Sequence, residues 1–259
     1  MNNSDPIGLF DSGIGGTSIW REVHALLPNE NTIYLADSMN APYGLKSKEE
    51  IVFLSEKNTE LLLEQNCKLI VVACNTATTN AIKELRAKYN VPFIGIEPAI
   101  KPAALQSKTQ TIGILATKGT LNSTLFHENV AKHPDVKIME QIGHGLVQLI
   151  EKDAMESNEM EELLKSYLLP MVAKNIDYLV LGCSHYPYLI PQIKKIIPST
   201  IKIIDSGEAV AKQTKKILEE QQLLNTSNSN PSSVFYTNSN TDVLKKILYP
   251  IESIFYKNF

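Results

Sequence analysis

Short apolar runs alternate with longer amphipathic stretches along nearly the whole chain, and this alternation constrains the fold most. Several of the short runs are rich in Val and Ile and apolar throughout, which is typical of strands buried on both faces of a parallel sheet. The pattern predicts strands at residues 7–10, 32–36, 69–73, 91–96, 111–116, 137–141, 178–182, 201–205 and 234–237. Because helical patterns separate these strands, the chain is predicted to have an α/β fold with mostly parallel sheets.

Local signals mark helix boundaries and loops between the predicted strands. Ser47 and Glu50 have the spacing of a capping box, so a helix is predicted to begin there. Pro170 is expected to break or kink a later helix. Residues 225–233 are polar and rich in turn formers, which favours a surface loop over a domain linker.

Two pairs of segments suggest an internal duplication. GLFDS at residues 8–12 resembles GILAT at 113–117, and VVACNT at 71–76 resembles VLGCSH at 180–185. The two offsets, 105 and 109 residues, are nearly equal, and the second pair shares a cysteine. We therefore expect two similar lobes, and a site between them would receive equivalent groups from opposite sides.

Composition excludes several classes of protein. The formal net charge of −3 over 259 residues argues against a nucleic-acid-binding surface, which is normally basic. The longest apolar run, LIVVAC at residues 69–74, is far shorter than the roughly 20 residues of a membrane helix. The first ten residues lack a signal-peptide pattern, so a cytosolic location is expected. Three cysteines in a chain of this length do not indicate a disulfide framework.

Two of the three cysteines lie in matched contexts. Cys74 and Cys183 each follow an apolar strand, at the edge of a parallel sheet where ligands bind. Nearby helix N-termini are expected to lower the pKa of these thiols. His185, two residues after Cys183, can assist proton transfer. Cys67 has no polar neighbours in the sequence and is interpreted as a small buried apolar residue.

The segment FDSGIGG at residues 10–16 is a third candidate site element. Asp11 and Ser12 directly follow the first predicted strand, and the glycines after them allow a tight turn whose backbone N–H groups face a ligand. The spacing matches neither a dinucleotide fingerprint nor a P-loop. Asp11 and Ser12 could equally cap a helix, and the two roles are compatible.

Other ligand-binding chemistries find little support. The sequence contains neither C-x-x-C nor H-E-x-x-H, and its histidines do not cluster at metal-ligand spacings, so no metal site is expected. Neither arginine, Arg21 or Arg86, lies in a strand-end motif, so a bidentate clamp on a carboxylate is not expected. Recognition would then use backbone N–H groups and the polar side chains of Ser12, Asn75, Thr76, Thr117 and Ser184.

Taken together, these motifs resemble those of the glutamate racemases, which are cofactor-independent bacterial enzymes of the aspartate/glutamate racemase family. The matching segments are GLFDSGIGGTSIWREV (8–23), YLADSMNAPYG (34–44), VVACNTAT (71–78), IGIEPAIKPA (94–103), GILATKGT (113–120), LGCSHYPYL (181–189) and IIDSGEAVA (203–211). The resemblance implies an α/β fold of two similar lobes, each a mostly parallel sheet flanked by helices, with the active site in the cleft between them. The first lobe is expected to comprise residues 1–97 plus 208–259, and the second lobe residues 98–207.

The resemblance also implies residue roles. Cys74 and Cys183 correspond to the catalytic pair, with Asp11 supporting the first thiol and His185 the second. Cys74 is expected to act as the base on D-glutamate and Cys183 on L-glutamate. The implied substrate contacts are Asp11, Ser12, Tyr43, Gly44, Asn75, Thr76, Ser184 and His185. The implied partner is a small molecule, L- or D-glutamate, in a homodimer without cofactor, metal, nucleic acid or membrane, and the D-glutamate would supply peptidoglycan synthesis.

The chain departs from the family pattern at two places. Ser184 stands where the family usually has Thr, and the hydroxyl is retained. Residues 141–149 match the family poorly, which affects the neighbouring Glu151. Glu151 is therefore either a supporting residue near the second thiol or a solvated charge on a helix.

Three other functions stay open on the sequence. An aspartate racemase of similar fold would use the same two thiols. A cysteine amidase or hydrolase would use one nucleophilic thiol and form an acyl-enzyme. A non-catalytic solute-binding protein could close two lobes on a ligand, but it would need no matched thiols.

Overall fold

Two parallel β-sheets flanked by helices form the structure, a computed structural model that describes residues 2–226 and 230–259. Within these residues the first sheet consists of β1 (Ile7–Asp11), β2 (Thr32–Ala36), β3 (Leu69–Val72), β4 (Phe93–Gly95), β9 (Ser233–Thr237) and β10 (Ile254–Tyr256). Its strand order is β10-β9-β2-β1-β3-β4, and every neighbouring pair is parallel. The second sheet consists of β5 (Thr111–Ala116), β6 (Lys137–Ile142), β7 (Tyr178–Gly182) and β8 (Lys202–Ile204), in the order β6-β5-β7-β8.

The helices connect successive strands of each sheet and link the two sheets. They are α1 (Thr17–Leu26), α2 (Lys48–Glu64), α3 (Asn75–Lys88), α4 (Ile100–Gln106), α5 (Lys118–Leu121), α6 (Thr124–Val130), α7 (Leu146–Glu151), α8 (Asn158–Val172), α9 (Ile190–Ile196), α10 (Gly207–Glu220) and α11 (Asp242–Leu248). No helix of the described residues is both long and apolar enough to cross a membrane.

The predicted boundary signals agree with the structure in part. Ser47 caps α2, with both hydrogen bonds of the capping box to Glu50 present. Pro170 does not break α8, which continues for two residues beyond it. Part of the loop predicted at 225–233, residues 227–229, lies outside the described residues, and its last residue, Ser233, already belongs to β9.

The two sheets repeat one strand order, which confirms the two similar lobes inferred from the sequence. The order β2-β1-β3-β4 in the first sheet matches β6-β5-β7-β8 in the second. β1 therefore corresponds to β5, and β3 corresponds to β7, as the paired sequence segments predicted. The two equivalent strands β3 and β7 precede Cys74 and Cys183, so the duplication places one thiol at the same topological position in each lobe.

The sheets draw on different parts of the chain. Strands of the first sheet lie within residues 7–95 and 233–256, and strands of the second lie within 111–204. The exact lobe boundaries, 1–97 plus 208–259 and 98–207, remain a prediction. All nine predicted strands are present. The strand that the sequence reading missed, β10, is three residues long and exposes Phe255 and Tyr256, so its pattern is too short for a periodicity argument.

Candidate active site

Three strand ends bring the candidate catalytic groups together. Asp11 is the last residue of β1, Cys74 is the N-cap of α3 directly after β3, and Cys183 follows β7. β1 and β3 are neighbours in the first sheet, so their carboxyl ends lie side by side. All three side chains are buried. The geometry is that of a closed site at the carboxyl ends of parallel strands, where α/β proteins bind ligands.

The Cys74 thiol is surrounded by hydrogen-bonding groups and acidic neighbours. Its sulfur accepts from the Ala77 N–H at 3.4 Å and donates to Oγ of Ser12 at 3.7 Å. Burial and the charge of Asp11 raise the pKa of Cys74, and the negative charge of Cys183 adds to this effect. The expected lowering of this pKa by the helix N-terminus is therefore wrong, because the Ala77 bond is outweighed by burial and by Asp11.

The Cys183 thiol lies next to a histidine that is itself tied to carboxylates. Nδ1 of His185 lies 3.9 Å from Sγ of Cys183 and 3.9 Å from Oδ2 of Asp11, and Nε2 lies 2.6 Å from Oε1 of Glu151. Burial opposes a charge on the imidazole, but the bonds to Cys183 and Glu151 and the charge of Asp11 prevail and raise the pKa of His185 well above its usual value. The imidazole is therefore protonated at neutral pH.

Glu151 belongs to the site, so its interpretation as a solvated helix charge is wrong. Besides the bond to His185, Oε1 accepts from the Ile14 N–H at 2.7 Å, and Oε2 accepts from the Ser38 hydroxyl at 2.9 Å. Its side chain is only 14% exposed. Glu151 ends α7 in the part of the chain that forms the second sheet, whereas Ile14 and Ser38 follow strands of the first sheet. The carboxylate therefore bridges the two halves of the site.

Asp11 is fully buried and holds two further groups in place. Oδ2 accepts from the Gly16 N–H at 2.9 Å, and Oδ1 accepts from the Ser184 hydroxyl at 3.1 Å. Burial raises the pKa of Asp11, although the charge of His185 and the bond to Gly16 act in the opposite direction. The N-cap of α1 is Gly16 itself, so Asp11 and Ser12 do not cap that helix.

Two glycines of the loop after β1 are required by close approach. A Cβ on Gly13 would lie 1.9 Å from Oε1 of Glu151, and a Cβ on Gly15 would lie 2.2 Å from Nδ1 of His185. Any side chain at either position would displace the groups beside the second thiol. The glycine-rich turn therefore serves the active site by leaving room for the His185–Glu151 pair.

A cluster of hydroxyl groups joins the two halves of the site near Cys74. Oγ1 of Thr76 lies 2.7 Å from Oγ1 of Thr117 and 3.3 Å from that of Thr120. Gly44 abuts the same cluster, since a Cβ there would lie 2.8 Å from Cβ of Thr117. The residues expected to bind substrate on the first lobe are thus packed against the end of β5.

Asn75 has an unusual environment for a buried amide. Its side chain is buried, and neither Nδ2 nor Oδ1 has a hydrogen-bond partner among the described residues. An unpaired buried amide is costly, so this donor and acceptor next to Cys74 are available to a ligand.

The arginines and metal-ligating residues agree with the sequence reading of ligand chemistry. Arg21 and Arg86 donate to the backbone carbonyls of Ile247 and Phe93, so their guanidinium groups are used outside the site. Within residues 2–226 and 230–259, no group of three or more His, Cys, Asp or Glu side chains is arranged to hold a metal ion. Backbone N–H groups and neutral polar side chains are the available donors.

The sequence reading missed two polar residues that support the site. Ser38 donates to Glu151, and Asp37 accepts a hydrogen bond from the hydroxyl of Tyr43. Both follow β2, whose carboxyl end lies next to that of β1. Polar residues directly after a predicted central strand were the signal that could have identified them.

Comparisons with known proteins agree with this arrangement. A family model described as Asp/Glu/Hydantoin racemase matches residues 15–214. The glutamate racemase of Herpetosiphon aurantiacus is 43% identical over 248 residues, which are 95% of this chain and 98% of that relative. The glutamate racemase of Francisella tularensis, solved in complex with D-glutamate, aligns with a TM-score of 0.85 at 31% identity and covers 99% of this chain and 98% of its own. The Escherichia coli glutamate racemase, in complex with L-glutamate and the activator UDP-MurNAc-ala, aligns with a TM-score of 0.87 at 32% identity and covers 98% of each chain.

Proposed function

This chain belongs to the Asp/Glu/hydantoin racemase family, and we propose that it interconverts L- and D-glutamate with Cys74 and Cys183 as its two bases. The observation that carries the proposal is the placement of one thiol after each of two equivalent strands, β3 and β7. Each thiol has its own neighbouring acid–base group, Asp11 for Cys74 and His185 for Cys183.

Glutamate is the proposed substrate because of the relatives. Solved glutamate racemases that align over nearly the whole chain contain D-glutamate in one case and L-glutamate in another. The aspartate racemase of Picrophilus torridus, at 15% identity, shares only the fold. Glutamate is therefore favoured over aspartate.

The reaction inverts one carbon through two proton transfers. The thiolate of one cysteine takes the α-proton, and the electron pair of the broken C–H bond passes to the α-carbon and its carboxylate. The thiol of the other cysteine then delivers a proton to the opposite face. The roles exchange for the reverse direction, with Cys74 as the base on D-glutamate and Cys183 on L-glutamate.

The groups beside the two thiols differ in charge, which suits opposite tasks. Burial and Asp11 raise the pKa of Cys74, so this residue rests as a thiol that can donate a proton to the carbanion. On the other side, His185 is protonated and held by Glu151, at a distance from Cys183 that allows proton exchange. Asp11, whose own pKa is raised by burial, is placed to exchange a proton with Cys74 when the direction reverses.

The carbanion needs hydrogen bonds to its α-carboxylate in a site that excludes water. The unpaired amide of Asn75 provides one donor, and the backbone around Ser12 and Gly44 provides others. Ser184 donates to Asp11, so we assign it the task of orienting that carboxylate beside the substrate.

A heavy-water experiment tests the proposal. Pure protein is incubated with L-glutamate in D2O without any added cofactor, and the products are examined by chiral chromatography and mass spectrometry. D-glutamate that carries deuterium at the α-carbon is expected. Its absence would overturn the proposed activity, faster turnover of aspartate would change the substrate, and a trapped thioester would favour a cysteine hydrolase.

The biological setting completes the proposal. We infer that the enzyme is a cytosolic homodimer and that its D-glutamate enters peptidoglycan synthesis. Sedimentation equilibrium tests the dimer, and D-glutamate dependence of growth in a deletion strain tests the role in the cell wall.

A further inference from the structure

The segment between β2 and α2 carries two of the proposed substrate contacts. It passes through two short 3-10 turns, Ser38–Asn40 and Tyr43–Leu45, and brings Tyr43 and Gly44 to the site. The backbone of Gly44 lies against Thr117 across the cleft. A loop of this kind must be held firmly if its backbone is to bind a ligand in one orientation.

The hydroxyl of Tyr43 is fully engaged within the protein. It donates to Oδ2 of Asp37 at 2.5 Å and accepts from Nδ2 of Asn58 at 3.1 Å. A carboxylate can only accept, so the single phenolic hydrogen belongs to Asp37. Burial and the charge of Asp37 raise the pKa of Tyr43 well above its usual value, so the phenol keeps this hydrogen. Tyr43 therefore has no hydrogen to offer a substrate carboxylate, and its backbone is the part that can bind one.

Asp37 is in turn held by a residue from the far end of the chain. Nδ2 of Asn238 donates to Oδ1 of Asp37 at 2.5 Å and to the carbonyl of Phe259 at 3.1 Å, while Oδ1 of Asn238 accepts from the Met39 N–H at 2.9 Å. Asn238 is 3% exposed and follows β9, the strand paired with β2. Both ends of its amide thus grip the start of the segment, and both of its donor hydrogens are used.

We propose that Asn238 is a positioning residue that fixes the substrate-binding backbone at Tyr43 and Gly44 through Asp37. The inference rests on the proposed function. Asn238 lies outside the residues matched by the family model, 15–214, and none of its side-chain bonds goes to Cys74 or Cys183. Its loss should therefore weaken substrate binding and leave the proton transfers nearly unchanged.

The chain offers a matched control at the opposite ends of the same two strands. Asn31, just before β2, donates to the carbonyl of Ser4 and accepts from the N–H and hydroxyl of Ser232, just before β9. Asn31→Ala thus removes the same side chain and a similar set of bonds between the same strands, but far along β2 from Asp37. It tests general loosening of the sheet without touching the segment of Tyr43.

The first measurement compares the steady-state kinetics of the two variants. Asn238→Ala is expected to raise KM for both enantiomers roughly tenfold, the scale of losing a hydrogen bond to a charged group, with kcat within about twofold of the unsubstituted protein. Asn31→Ala should leave both constants nearly unchanged. Equal kinetics of Asn238→Ala and the unsubstituted protein, or the same rise in KM for both variants, would overturn the positioning role. If Asn238→Ala does not fold, Asn238→Ser, which lacks the donors to Asp37, replaces it with the same expectation.

A double-mutant cycle separates the proposed path from a general effect. Tyr43→Phe removes the bond to Asp37, so adding Asn238→Ala to it should change KM by less than about twofold. A full tenfold rise in both backgrounds would show that Asn238 does not act through Tyr43. The dissociation constant of D-glutamate, measured by calorimetry, should follow the same pattern. If the unsubstituted protein fails to racemise glutamate, the proposed function fails, whereas normal racemisation with unchanged binding in Asn238→Ala overturns this inference alone.

Discussion

Nε2 of His185 lies 2.6 Å from Oε1 of Glu151, and the same carboxylate oxygen accepts the backbone N–H of Ile14 at 2.7 Å. The imidazole next to Cys183 is therefore anchored through Glu151 to a loop of the other sheet. This contact couples the charge of His185 to the closed arrangement of the two halves of the site. The first two predictions depend on it.

Glu151→Gln is expected to lower the pKa of His185, because it removes one of the interactions that raise this pKa. The imidazolium is lost as pH rises through the pKa, so the alkaline limb of kcat/KM for L-glutamate should move to lower pH. We expect kcat to fall by roughly tenfold or more. Rates measured across neutral and alkaline pH provide the test. Glu156→Gln, an exposed carboxylate nearby in the sequence, is the control, and an unmoved alkaline limb in Glu151→Gln would contradict the prediction.

Gly15→Ala is expected to reduce kcat by roughly 100-fold, the lower end of what a displaced general acid or base costs. The added Cβ would lie 2.2 Å from Nδ1 of His185, so the imidazole must move away from Cys183. Gly207→Ala is a suitable control, since its Cβ would meet the flexible side chain of Glu22 at 2.9 Å, which can move aside. Circular dichroism verifies folding, and full activity of Gly15→Ala would refute the assigned position of His185.

Cys74→Ala and Cys183→Ala should each abolish racemisation in both directions, with turnover at least roughly 100-fold below that of the unsubstituted protein. Inversion needs one base and one acid on opposite faces, and either substitution removes one of them. Cys67 is also buried, and burial raises its pKa to about 12, but it lies in the core of the first sheet. Cys67→Ala should therefore keep its activity. Normal turnover in either of the other two variants would eliminate the two-thiol scheme.

Lys68→Met is expected to lower the free energy of unfolding by about 3–5 kcal/mol, because it leaves the Glu30 carboxylate buried and unpaired. The two side chains are 0% and 1% exposed, with Nζ of Lys68 2.6 Å from Oε2 of Glu30. Urea denaturation measures the loss. Lys48→Met breaks an exposed pair with Glu84 and should cost only about 0–1 kcal/mol. A similar small change for both variants would contradict the assigned role of the buried pair.

The fold was largely predictable because strands buried on both faces need continuous apolar runs. β2, β5 and β7 begin and end at the residues expected from the sequence. β10 was not predictable, since a three-residue strand with two exposed aromatic side chains has no recognisable periodicity. Pro170 was misjudged because it lies near the end of α8, where the helix continues for only two more residues.

The candidate site was predictable in its residue types and less so in its electrostatics. Cys74 and Cys183 were identified by their matched positions after two apolar strands. The direction of the pKa shift of Cys74 was not, because it depends on burial and on Asp11, which is far away in the sequence. The same holds for Glu151, whose partners Ile14 and Ser38 precede it by 137 and 113 residues.

The sequence by itself determined the α/β class, the strand ends and the polar and thiol groups that follow them, because these depend on local patterns of apolar and polar residues. Only the tertiary structure decided that Glu151 joins His185 and that Asn238 holds Asp37, 201 positions away. Hydrogen bonds, burial and charge at a site depend on which distant segments pack there. The physical environment of each group is therefore set by the whole fold.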